Sequence, residues 1–289
     1  MKRILIALAL LLAVQAADAQ VKSPETAKKD VLAAEEAAQN PKKNTKVATW
    51  LKLASSYMDA YDAPVGNILV NSPRVQLQMM MGNEKPVSVE DVVVDGAPFK
   101  KEVYANKNLY FDGTDVLRIV EVTVPVFEDP LANALEAYAK AYEVDVKKSK
   151  EKDIKTGIQS IQQKYFIDGM NQYSLGDYKK AGELLGKAAK ASETAPNSVV
   201  DTTSLYNAGY IYWASKDFET AKTYFERCLA ENYFYENGEV YAKLGDVYFN
   251  LGDKPKGVET LEAGFVKFPQ SQSILIGLIN YYIESGENT

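Results

Sequence analysis

Between Ile161 and Pro269 one local pattern recurs, marked by Gly169, Gly209 and Gly245 at spacings of 40 and then 36 residues. A chain that repeats itself at this period makes one small unit several times over, and buries apolar surface between neighbouring units rather than around a single centre. Each unit opens with a helical pattern, read most clearly in Leu205-x-x-Ala208-Gly209-x-x-Tyr212 and Tyr241-x-x-Leu244-Gly245-x-x-Tyr248. Large residues recur on one face with a small residue beside them, which lets a second helix approach. A turn follows, Leu175-Gly176-Asp177, Ser215-Lys216-Asp217 or Leu251-Gly252-Asp253. Helical spacing then resumes in Ala181-x3-Leu185-x2-Ala188 and Ala221-x3-Phe225-x2-Cys228.

These residues, closed by Pro269, resemble the tetratricopeptide repeat, with its W-x2-L-G-x2-Y and A-x3-F signatures and terminal proline. The resemblance covers Val47 to Asp59 and Pro130 to Glu287. It implies a mainly α fold: a helical solenoid of antiparallel helix pairs. The chain departs from the pattern at Asp168, where an apolar residue is usual, and at Gln172, where an aromatic is usual, with Tyr173 one place late. Gly257 and Gly264 replace expected alanines, which should loosen that second helix by roughly 1 kcal/mol per glycine.

Trp50-x-x-Leu53-Ala54-x-x-Tyr57 also matches a first helix, but its second helix does not follow directly. The match comes some seventy residues later, as Ala134-x3-Tyr138-x2-Ala141, introduced by Asp129-Pro130 as N-cap and first-turn proline. The reading is one repeat, 46–61 and 130–146, split by a small β-containing insertion at 62–129. Within the insertion the β-branched residues predict a hairpin, Glu102 to Phe111 and Val116 to Val124, turning at Asp112-Gly113-Thr114-Asp115. The apolar stretch Val65 to Met81 must bury against something: the flank of the solenoid, its concave groove or a partner that it recruits. A cap helix occupies 20–45, from Ser23-Pro24 to Asn40-Pro41, with Val31 and Leu32 as anchors. Repeats fill 153–289, the last one incomplete. Ile274, Ile276 and Ile283 leave that last helix almost no polar face, so the natural chain continues or the helix pairs with a partner or a second copy.

Residues 1–19 read as a secretory signal peptide: Lys2 and Arg3, an apolar run from Ile4 to Val14, and a cleavage site at Ala17-Asp18-Ala19. The run is too short to span a bilayer and no cysteine lies near the cleavage site, so the expectation is a periplasmic or secreted protein without a lipid anchor.

The chain contains no histidine, which removes the usual general base and the commonest metal ligand; its one cysteine, Cys228, sits at a helix-contact position. Net charge is −6 and no lysine–arginine cluster is dense enough for a nucleic-acid footprint. Gly182 to Lys187 lacks phosphate-loop spacing, and Asp112 to Asp115 lacks the ligands of a calcium loop. No catalytic residue, metal or cofactor is assigned.

What the resemblance does imply is a binding groove, lined by first-helix side chains: Phe166, Met170 and Tyr173, then Tyr206, Tyr210 and Trp213, then Asp246 and Phe249. Family members that grip a peptide C-terminal carboxylate use lysines and asparagines there; the mostly aromatic lining does not support that clamp. The expected activity is noncatalytic, holding a protein or an extended peptide, with Tyr206, Tyr210 and Trp213 exposed unless the insertion covers them. The alternative is a glycan or small ligand stacked on those rings and on the inserted β segment.

Overall fold

A computed structural model describes residues 21–82 and 84–286. The signal-peptide reading falls on residues outside this range. The chain opens with α1 (Pro24–Gln39) and α2 (Val47–Asp62), passes through α3 (Arg74–Met81) and strands β1 (Ser88–Val94), β2 (Ala97–Val103), β3 (Lys107–Phe111) and β4 (Leu117–Val122), and returns to helix. There follow α4 (Pro130–Val144), α5 (Glu151–Ser174), α6 (Tyr178–Glu193), α7 (Thr202–Ala214), α8 (Phe218–Ala230), α9 (Glu239–Asn250), α10 (Lys254–Lys267) and α11 (Gln272–Ser285). Helices α5 and α6, α7 and α8, and α9 and α10 pack as pairs, and α2 packs on α4 across the inserted segment. The fold is a helical solenoid carrying a small four-stranded antiparallel sheet.

Local chemistry sets where helices begin. Asp129, Asp177, Asp201, Asp217 and Asp253 each accept a hydrogen bond from the backbone N–H three residues on, satisfying a donor that the first turn leaves unpaired. Three of these aspartates follow a residue in the left-handed region, Gly176 (φ 86°), Lys216 (φ 66°) and Gly252 (φ 84°), so the same turn is built three times and only the middle copy forces a side chain into it. In α1, Val31 is buried as an anchor, but Leu32 is 52% exposed and points away from the core.

Gly257 and Gly264 correct a sequence expectation. A Cβ on Gly257 would lie 2.4 Å from the Phe249 ring, and one on Gly264 would lie 2.6 Å from the Cβ of Tyr241. Both glycines therefore admit the first helix of their own pair at close range. The Tyr241 Cβ is fixed to its backbone and cannot swing aside. For Gly264→Ala the gain in helix propensity, about 1 kcal/mol, is opposed by overpacking at about 1–3 kcal/mol. The expected result is a net loss near 1 kcal/mol in urea denaturation; a gain in stability would show that α9 and α10 can separate cheaply.

The insertion is a sheet in the order β1-β2-β3-β4. This differs from the predicted hairpin: the stretch read as one strand from Glu102 is two, β2 and β3, joined at Tyr104–Asn106, where Tyr104 N–H donates to the Lys107 carbonyl at 2.8 Å. That turn carries no glycine or proline, the usual signal for one. The β3–β4 turn is where it was expected, with the Asp112 carboxylate accepting from the Thr114 hydroxyl and backbone and from Val116 N–H. The buried anchors of Val65 to Met81 face the insertion's own sheet. Ile68 and Leu77 pack on Leu109, Phe111 and Leu117 of the sheet itself. Its other face, Val94, Tyr110 and Ile119, meets Leu175 at the end of α5.

Candidate functional site

First helices α7, α9 and α11 lie side by side, and their facing residues meet at a spacing of about one repeat. Trp213 of α7 donates its Nε1–H to Asp246 Oδ2 of α9 at 2.5 Å. Phe249 of α9 stacks on Tyr281 of α11, centroids 5.6 Å apart and planes 6° from parallel. Tyr210 tilts against Trp213 at 5.5 Å. Tyr210, Trp213, Asp246 and Phe249, named from sequence on two different helices, therefore form one continuous, half-buried surface.

Lys243 completes it and was missed by sequence reasoning. Its ammonium lies 3.7 Å from the Trp213 ring centroid and 5.8 Å from that of Tyr210, a cation held over aromatic faces. Burial holds it below the usual lysine range, against the opposing pull of Glu239 and Asp246. Among the described residues it has no ion-pair partner within 4.0 Å. The only sequence signal is its place one turn from Asp246 and Glu239 on the same helix, which is indistinguishable from an ordinary solvated face.

The other named residues are placed differently. Tyr206 is 3% exposed, not accessible as expected. Tyr235, in the connection after α8, stacks on it at 4.0 Å, and Phe225 and Tyr233 close the remaining sides. Its cover comes from chain some thirty residues away, which the pattern around Tyr206 does not contain. Phe166, Met170 and Tyr173 are partly buried against Ala181, Leu185, Ala208 and Ile211, so this part of the list belongs to the seam between repeats. Beyond them Val94, Tyr110 and Ile119 of the insertion pack on Leu175 at the end of α5.

Next to Asp246 and Phe249 the surface deepens into a cavity of about 240 Å³ between α9 and α11, which Lys254, Asn280, Tyr281 and Glu284 also line. It offers aromatic faces, carboxylates, an amide and an ammonium, a mixture suited to a polypeptide with varied side chains. Cys228 is fully buried with its thiol pushed up to about 12 by that burial, which makes it an inert core group. Among the described residues no group of three or more acidic or cysteine side chains is arranged to hold a metal, and no helix is long and apolar enough to cross a membrane.

Residues 202–233, which span α7, α8 and the turn between them, match the family model for the tetratricopeptide repeat. No curated protein matches the chain. Among solved structures it is similar to a chain of the APC/C hetero-tetramer Cut9–Hcn1, at 14% identity and a TM-score of 0.34, over 91% of this chain and 41% of that one. It is also similar to BtubC (BKLC) from P. vanneervenii, at 13% identity and a TM-score of 0.29, over 92% of each chain. The chain thus spans less than half the length of the first of these.

Proposed function

For a chain built on tetratricopeptide repeats, a fold that serves protein interaction in general, we propose a noncatalytic scaffold that holds an extended peptide or partner segment across α7, α9 and α11. We read it as an exported protein, periplasmic or secreted, with α2 and α4 as its split first repeat. The observation that carries the reading is the cluster of Trp213, Lys243 and Asp246, beside Tyr210 and open to the α9–α11 cavity. An extended backbone needs donors and acceptors at close intervals, and side chains need apolar area between them. Lys243 supplies a donor already partly stripped of water, Asp246 an acceptor held in place by Trp213, and the rings supply area at low entropic cost.

The test is selection of binders from a displayed library of random twelve-residue peptides, followed by titration of the selected peptides into the chain and into Trp213→Ala, with folding checked by circular dichroism. Loss of the indole removes stacking area and frees Asp246, so affinity should fall about tenfold or more, as for a residue at an interface hot spot. Selected peptides that bind Trp213→Ala equally well would remove the surface from consideration. A chain that selects no peptide but retains saccharides on a glycan array in a Trp213-dependent way would support the rival reading, a sugar stacked on the same rings.

A further inference from the structure

The inserted sheet has two edges, and the fold treats them unequally. The outer side of β4 is occupied at its start by the chain's own segment Asn71–Pro73: Asn71 N–H donates to the Leu117 carbonyl at 2.8 Å, and Leu117 N–H to the Ser72 carbonyl at 3.0 Å. Among the described residues no strand lies on the outer side of β1, which is the first in the order and pairs with β2. Alternate N–H and C=O groups along it are therefore unpaired with any strand.

Open edges are usually blunted by proline, charged side chains, a bulge or shortness. β1 has no proline, lysine or bulge, and its only charges are the acids Glu90 and Asp91. It runs seven residues, Ser-Val-Glu-Asp-Val-Val-Val, and its ladder to β2 is unbroken from Ser88–Val103 to Val94–Ala97. Val87, Val89 and Val93 share one face of this edge and are 79%, 56% and 74% exposed. The edge is thus regular, β-branched and uncovered, which is the condition for adding a strand.

Charge decides what kind of strand fits. At the middle of β1 stand Glu90 and Asp91, paired on the inner side with Lys101 and Lys100 of β2, at 3.4 and 2.7 Å. Their side chains stay 47% and 81% exposed, so both carboxylates remain available to a neighbour on the outer side. A second copy of β1 laid in register, or about a two-fold between these residues, sets acid against acid, and like charges directly opposite are destabilising. A strand with the pattern of β2, two adjacent lysines within an apolar frame, sets opposite charges face to face. We propose that β1 is a docking edge for an extended, basic segment of a partner protein, which joins the sheet as a fifth strand. This surface is separate from the α7–α9–α11 surface and does not depend on it.

The experiment uses two nine-residue synthetic peptides, one with two central lysines between valines and threonines, the other with two central glutamates in the same frame. Each is titrated into the mature chain at low salt, with amide hydrogen exchange followed residue by residue. The lysine peptide should slow exchange in Ser88–Val94 and bind about tenfold tighter than the glutamate peptide, the difference expected when two cross-strand pairs change from opposite to like charge. In Glu90→Gln/Asp91→Asn that preference should shrink to within about twofold, with β1 still protected; Tyr210→Ala/Trp213→Ala should behave as the parent chain. The proposal is overturned if neither peptide protects β1, if both protect it equally in the parent chain, or if β1 becomes protected by raising protein concentration alone, which would make a second copy the occupant.

Discussion

Replacing Arg74 with alanine should unfold the insertion while leaving the helical array standing. Arg74 is the first residue of α3 and reaches from it onto the face of the sheet that α3 covers, where its guanidinium serves three groups at once. It pairs with the Glu102 carboxylate, it holds Asp115 through Nε at 2.7 Å, and it lies 3.8 Å from the centre of the Phe111 ring. Glu102 is buried, and with the arginine gone its only hydrogen-bond partner among the described residues is the Tyr104 hydroxyl, at 2.8 Å. Breaking a buried pair from one side leaves a charge without compensation and costs about 3–5 kcal/mol. A four-stranded sheet with one small helix holds little surplus against that loss, whereas the helix pairs draw on separate cores. Hydrogen exchange should show β1 to β4 losing protection and α5 to α10 keeping it. Arg74→Met with Glu102→Met, which removes both charges, should recover much of the loss. If the single variant loses protection throughout the chain, the insertion is a structural brace of the solenoid rather than a unit attached to it.

The second large effect has the opposite sign. Asp168, the departure from the repeat pattern on α5, is set against α2, where Tyr61 donates its hydroxyl to Oδ2 at 2.9 Å. Burial raises its carboxyl to about 6, an effect that the Tyr61 hydrogen bond and the charges of Lys164 and Lys180 only partly offset, while the Asp62 charge adds to it. The folded state thus binds this proton more tightly than the unfolded chain does, where an aspartate titrates near 3.8. By linkage the contribution of Asp168 to stability is at its best below pH 4, declines as pH rises through about 6, and is flat above that. A shift of two units corresponds to roughly 3 kcal/mol at neutral pH. Asp168→Asn keeps an acceptor for Tyr61 and discards the charge, so it should be about 2–3 kcal/mol more stable than the parent at pH 8 and nearly equal to it at pH 4. Urea denaturation at the two pH values reads both. A variant less stable at pH 8 would mean that the charge is held by Lys164 and Lys180 more strongly than burial opposes it.

Asp168 and Arg74 also mark what could be read from sequence and what could not. Asp168 stood out because it broke a periodic pattern, and a break in a pattern is local information. Its partner Tyr61 lies 107 residues away. Nothing in the order of residues says which tyrosine meets it. Arg74 carried no signal at all, since one arginine beside a methionine-rich stretch reads as a solvated head on an apolar stem.

The repeat spacing by itself determined the pairing of helices, the turns between them and the aspartates that start each second helix. Those features depend on contacts within one or two turns, where the 3.6-residue period and the reach of a side chain settle the geometry. Tertiary structure alone decided three others. The stretch read as one strand from Glu102 became β2 and β3 because the Tyr104–Asn106 turn is held by a hydrogen bond rather than by a glycine or proline. Tyr206 became core because Tyr235 folded back over it. The candidate surface gained Lys243 because α7 placed Trp213 and Tyr210 beneath an ammonium of α9. In each case residues far apart in the chain compete for the same space, and only packing resolves which of them remains open to a partner.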